Sequence, residues 1–160
     1  MLHDGLRDFA VVEGYFHKSE YDHILWSHEP YICVCGPGYL LPAGPLHLRD
    51  LFSHRLILRN DGSGTRDVLV KSLEGMNHHL SDFQHIIEVS DLFAIKELVK
   101  RGCGLTSLYR KAVEQELADG PVRQVELGAF QGSPECNFWW GSGACFEADL
   151  RQLFPVLSEP

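Results

Sequence analysis

The 160-residue chain predicts an α/β fold with a mainly parallel sheet. Three observations carry that expectation. Short apolar runs of strand length alternate with segments of helical spacing. Glycine and proline punctuate the joints between them. Two strand-to-helix joints carry hydroxyl groups, one at Ser63 and Thr65, the other at Ser90.

The elements follow in order. Phe9-Ala10-Val11-Val12 is a continuous apolar run, the pattern of a strand buried on both faces of a parallel sheet. It ends at Glu13-Gly14, a candidate ligand position because open α/β sheets bind at the carboxyl ends of their strands. A solvated loop carboxylate is the competing reading of Glu13. Residues 15–24 read as mixed loop. Residues 30–35, Pro-Tyr-Ile-Cys-Val-Cys, are a second strand, followed by the breakers Gly36-Pro37-Gly38 and Pro42-Ala43-Gly44-Pro45. Residues 46–51 suggest a short helix before the strand Arg55-Leu56-Ile57-Leu58.

Next comes Asn60-Asp61-Gly62-Ser63-Gly64-Thr65-Arg66, then a helix that puts Val68, Leu69 and Leu73 on one side. A strand, a glycine-broken turn and a helix can hold an anion. The glycines Gly62 and Gly64 allow a sharp turn and close approach. First-turn N–H groups and the helix dipole face the ligand. Ser63 and Thr65 add hydroxyls, and Arg66 adds a planar charged fork. The plainer reading is a helix cap and a turn. The turn is not a P-loop, because no lysine follows the second glycine.

Residues 85–89 form a further strand. Ser90 and Asp91 are both N-cap types, and Leu92, Ile95, Leu98 and Val99 give helical spacing closed by Gly102. Ser90 is either an N-cap or a second ligand hydroxyl. Residues 104–109 are a short strand and residues 110–117 a helix stopped by Gly120-Pro121. Residues 122–127 alternate apolar and polar, as an edge strand does. Residues 137–140 are the last strand, with Trp139-Trp140 read as core packing. Residues 144–154 are the last helix.

Composition bounds the function. Apolar residues make up 44% and charged residues 22%, which fits a globular chain. Lys and Arg number 14 against 22 Asp and Glu, so the net charge is −8, unsuited to gripping nucleic acid directly. No run approaches the roughly 20 apolar residues of a membrane span, and the polar, acidic start is no signal peptide. Cysteine occurs five times, an odd count in apolar contexts, which reads as reduced and intracellular. Cys33-x-Cys35 and the histidines His78, His79 and His85 offer ligand types, but no CxxC or HxxxH spacing closes a metal site. No metal and no cofactor is expected.

Several stretches resemble LysR-type transcriptional regulators. Residues 6–14, Leu-Arg-Asp-Phe-Ala-Val-Val-Glu-Gly, resemble the family's G-x-x-D-hydrophobic-E-G strand. Asp61-Gly62-Ser63-Gly64-Thr65-Arg66 resembles a turn of one branch. Val89-Ser90-Asp91, Ile95-Lys96-Glu97-Leu98-Val99 and Gly102-Cys103-Gly104-Leu105 are similar to its IK-x-x-V-x-x-G-x-GI stretch. The resemblance runs from Leu6 to Phe154. It implies an effector-binding domain of periplasmic-binding-protein type, with two lobes joined by crossing strands and a small, often anionic effector in the interlobe cleft.

Under the resemblance, residues 1–34 and 135–160 form a partial first lobe and residues 35–134 the second, with residues 30–35 and 137–140 near the crossings. Ser63, Gly64 and Thr65 match the anion turn, Ser90 an effector-facing hydroxyl, and Glu13 and Gly14 the first-lobe edge. The chain has neither winged helix-turn-helix nor linker helix and lacks the start of the first lobe, so it is expected to be a fragment. The implied protein is cytoplasmic, homo-oligomeric at full length, and contacts DNA only through that missing domain. It is not membrane-bound. A solute-binding protein for a small anion would share the fold; the absent signal peptide and reduced cysteines disfavour it. An enzyme with Ser63 as nucleophile needs a base within reach, and no spacing couples His54, His78, His79 or His85 to it.

Overall fold

The computed structural model describes residues 8–13, 21–128, 135–142 and 147–158. Its strands are β1 (Phe9–Glu13), β2 (Tyr21–His28), β3 (Tyr31–Cys35), β4 (Arg55–Arg59), β5 (His85–Val89), β6 (Leu105–Tyr109), β7 (Arg123–Val125) and β8 (Glu135–Gly141). Its α-helices are α1 (Gly64–Gly75), α2 (Leu92–Lys100), α3 (Glu114–Asp119) and α4 (Glu147–Ser158). Short 3-10 turns lie at Leu48–Leu51, Leu80–Asp82 and Arg110–Val113. No helix among the described residues is long and apolar enough to cross a membrane.

Two compact units are present, Met1–His28 with Pro134–Pro160, and Glu29–Ser133. The first holds a three-stranded sheet of order β1-β8-β2, antiparallel throughout. Its core is Phe138, Trp140 and Leu150, with Phe9, Ile24, Trp26 and Phe154 packed on it. Trp139 is also buried, so both tryptophans pack as expected.

The second unit holds a five-stranded sheet of order β5-β4-β6-β3-β7. β4 runs parallel to β5 and β6, whereas β3 runs antiparallel to β6 and β7. Helices cover both faces. Val68, Leu69 and Leu73 of α1 join Leu56 and Leu58 of β4 in one core. Ile95 and Val99 of α2 join Ile57 in the other. This is the period-2 alternation of a strand buried on both sides.

Three expectations are corrected. The sheet is not mainly parallel. Between strands, parallel pairing is limited to β4 with β5 and β6, the helix-linked run β4-α1-β5-α2-β6, beside an isolated parallel bridge between Leu46 and Leu127; β3 is antiparallel to both its neighbours. β1 is an antiparallel edge, with Val11 45% exposed, rather than a strand buried on both faces. Residues 21–28, read partly as loop, form β2. Their pattern is obscured because Asp22 shares the inner side with Ile24 and Trp26, while Leu25 is exposed. Ala144, Cys145 and Phe146, expected in the last helix, lie outside the described residues.

Cys33, Cys35 and Cys103 are free thiols. Burial pushes the Cys33 thiol up to about 12, against a hydrogen bond to Ser107. Glu116 of α3 ties that helix to α2, meeting Lys96 at 2.6 Å and Lys100 at 3.6 Å. Burial alone would raise its carboxyl, but the bonds from Lys96 hold it below the usual glutamate value. A depressed folded pKa gives stability that is present above the unfolded value of about 4.3 and is lost as pH falls through the folded one. Glu116→Gln is therefore expected to flatten the fall in melting temperature below about pH 4.3; unchanged acid steepness in thermal scans would count against it.

Candidate functional site

β4 ends at Arg59, and the chain turns through Asn60, Asp61 and Gly62 into α1. Gly62 sits at φ +77°, a left-handed conformation that favours glycine. Ser63 follows in extended conformation as the N-cap residue, and its carbonyl accepts the Asp67 N–H at 3.0 Å. Its hydroxyl makes no capping bond. The plain capping reading of Ser63 therefore does not hold, and the first-turn N–H groups of α1 are not sealed by it. Ser63, Gly64 and Thr65 are each half-buried.

β5 runs beside β4 in parallel register, with Arg59 opposite Val89. The residues that follow, Asn60 and Ser90, therefore emerge side by side at one sheet edge. Ser90 is exposed and precedes α2. Asp91 is the N-cap of α2, its carboxylate accepting the Ala94 N–H at 2.8 Å. The Ser90 hydroxyl is thus not the cap. Both hydroxyl-bearing turns converge on the carboxyl ends of neighbouring parallel strands, where α/β sheets bind ligands.

Arg66 takes a different position from that of a free anion fork. Its Nη1 donates to Glu88 at 2.7 Å and to the Arg59 carbonyl at 3.3 Å, and its Nε lies 3.9 Å from Asp61. It bolts α1 to β4 and β5. Glu13 closes β1 opposite Cys136 in the other unit, and Gly14 lies outside the described residues.

Sequence reasoning missed Tyr31. It begins β3 opposite Tyr109, with the rings edge-on at 5.4 Å. Its hydroxyl lies 2.9 Å from the carbonyls of Thr65 and Ser107, so it supports the turn from beneath. Burial, then Tyr109 and Cys33, push its pKa well above the usual phenol value, which keeps it a neutral donor. The available signal was a tyrosine in a fully buried strand, whose hydroxyl needs a partner.

The histidines lie elsewhere. His54 precedes β4 and His85 opens β5, opposite Arg55. A five-residue strand at roughly 3.3 Å per residue separates them from Ser63 by about 15 Å. His78 and His79 follow the far end of α1, and His78 pairs with Asp82 at 3.3 Å. Among the described residues, no three His, Cys, Asp or Glu side chains gather as a metal site. A cavity of about 560 Å³, lined by residues 36–40, His54 and residues 100–102, opens at the opposite sheet edge and contains neither hydroxyl turn.

The profile described as the LysR substrate binding domain matches residues 1–153. The HTH-type transcriptional regulator YeiE of Escherichia coli (strain K12) is 31% identical over 120 residues, 75% of this chain and 40% of YeiE. The phosphonates import ATP-binding protein PhnC of Anaeromyxobacter dehalogenans (strain 2CP-C) is 32% identical over 126 residues, 76% of this chain and 25% of PhnC. The regulatory domain of CcmR from Synechocystis PCC6803, solved in complex with 2-PG, matches with a TM-score of 0.81 at 14% identity. That match covers 98% of this chain and 74% of the other; at such identity it speaks for the fold. The match to YeiE thus spans 40% of that regulator's length.

Proposed function

The chain belongs to the LysR substrate binding domain family, and from that premise we propose that it senses a small anion at the Ser63-Gly64-Thr65 turn and Ser90. The observation that carries the reading is the pairing of Arg59 with Val89, which sets two hydroxyl-bearing turns side by side, one of them with a serine that caps nothing. Gly62 supplies the turn, Ser63, Gly64, Thr65 and Ser90 the contacts, and Arg66 the orientation. Glu13 and Gly14 enter only as family positions of the first lobe.

The rest of the reading follows from family membership. In a longer regulator, DNA contact falls to a winged helix-turn-helix outside this chain, since a net charge of −8 repels phosphate. That regulator is a cytoplasmic homo-oligomer, and the sensing domain shifts its paired subunits when ligand binds. No catalysis is assigned, because the four histidines considered as bases sit away from Ser63. The likeness to PhnC does not bring ATP binding with it, because the turn lacks the P-loop lysine.

The test is a thermal-shift titration with sulfate, phosphate and small carboxylates on the chain and on Thr65→Val. Ligand at 100 times its Kd is expected to stabilise by about 2.7 kcal/mol, and the variant to lose most of that. Ser63→Ala is expected to keep the unliganded midpoint, whereas removing a working N-cap costs about 0.5–2 kcal/mol. An anion-induced shift that survives both substitutions would remove the turn as its site.

A further inference from the structure

Arg59 is the last residue of β4 and the residue before the turn. Leu56 and Leu58 face the α1 side of the sheet, and Ile57 faces the α2 side. Alternation puts Arg59 on the α2 side with Ile57. Its partner Val89 packs into that same α2-side core. The Arg59 guanidinium therefore leaves the sheet beside the β5-to-α2 joint, where Ser90 sits. Arg66 approaches the same edge from the other face, through α1.

The two arginines differ in what surrounds them. Arg66 is neutralised by Glu88 at 2.7 Å. Arg59 takes part in none of the ion pairs among the described residues. Its Nε is buried and has no hydrogen-bond partner. Native proteins rarely leave such a donor unmet, and a charged one least of all. An Nε–H beside an Nη–H is the fork that grips two oxygens of a single oxyanion.

We propose that Arg59 is the charge-bearing contact of this site and that it selects an oxyanion presenting two oxygens, carboxylate or phosphoryl, over a halide. The inference rests on the reading that the turn holds an anion, and it adds the residue and the ligand class. Arg66 is a brace for the turn; Arg59 carries the charge.

Thermal shift and calorimetric titration with acetate, inorganic phosphate and chloride at constant ionic strength test this on wild type, Arg59→Lys, Arg59→Met and Thr65→Val. Acetate and phosphate as separate arms tell a carboxylate site from a phosphoryl site. Oxyanion affinity is expected to fall about ten- to hundredfold in Arg59→Met. Arg59→Lys, which keeps charge without the fork, is expected to lose most of the preference over chloride. The unliganded melting temperature of Arg59→Met is expected to match or exceed wild type. If Thr65→Val loses binding while Arg59→Met stays within about twofold of wild type, the turn reading stands and the role of Arg59 falls. If wild type binds no oxyanion, both fall. A large drop in the unliganded melting temperature of Arg59→Met and Arg59→Lys alike would make Arg59 structural and overturn the proposal.

Discussion

Phe138→Ala is expected to cost about 3–5 kcal/mol of folding stability, the range for emptying a fully buried aromatic site. Phe138 is 0% exposed and sits in β8, the central strand of the three-stranded sheet. Its ring stacks on Phe9 at 4.9 Å and meets Phe154 at 5.8 Å, Trp140 at 6.0 Å and Trp26 at 6.3 Å. One side chain therefore joins β1, β2, β8 and α4. Among the described residues, the buried cluster there is small, with Trp140 and Leu150 as its other buried members. A small core has few neighbours able to collapse into a cavity, which argues for the upper part of the range. The readout is selective, because the three tryptophans of the chain, Trp26, Trp139 and Trp140, all belong to this unit. Urea unfolding followed by tryptophan fluorescence reports its stability directly. A loss under about 1 kcal/mol would show that Phe138 is not the centre of that core.

What the sequence made legible follows from physics that is local. β5 was readable because its five residues form one β-rich block with a helix cap behind it. α2 was readable because Leu92, Ile95 and Val99 keep helical spacing between Asp91 and Gly102. The strand-turn-helix at Ser63 was readable because glycine punctuation is local too. Strand direction was not, since it is set by which distant segments pair. Phe9 to Glu13 reads the same whether its neighbour runs with it or against it. β2 escaped because an edge strand with Asp22 inward and Leu25 outward has no clean period of two.

The site shows the same divide. Ser90 and Asp91 are equally good cap types in sequence, and the side chain that bonds Ala94 is that of Asp91. Arg66 sits next to the turn in sequence, yet its charge is spent on Glu88, 22 positions away. Tyr31 is 34 positions from the Thr65 carbonyl it faces. Arg59 lies between the strand read at residues 55–58 and the turn read from Asn60, so sequence patterning assigned it to neither; in the structure it closes β4, and its Nε has no hydrogen-bond partner. Which group neutralises which is decided by the tertiary fold.

Gly36→Ala is expected to destabilise the second unit by about 1–3 kcal/mol or more, the range for forced overpacking. In sequence, Gly36-Pro37-Gly38 reads as conformational punctuation. In the structure Gly36 is not left-handed; the positive-φ glycines among the described residues are Gly44, Gly62, Gly102 and Gly120. Its role is space. A Cβ there would lie 2.6 Å from the Val99 carbonyl oxygen, 3.3 Å from that of Lys100 and 3.4 Å from the Gly102 nitrogen. All three atoms are backbone at the end of α2, so no side chain can rotate aside. Relief requires α2 to move away from β3, and α2 carries Ile95 and Val99 into the core that also holds Ile32, Val34 and Ile57. Gly38, two residues on, has nothing within 4 Å of the same added atom, so Gly38→Ala is the matched control and should fall within about 0.5 kcal/mol of wild type. Urea unfolding of both variants, followed by far-ultraviolet circular dichroism, separates the two roles of glycine. A large loss at Gly36 with none at Gly38 assigns close packing of β3 against α2. Equal losses at both would return the segment to a turn whose glycines are needed for flexibility.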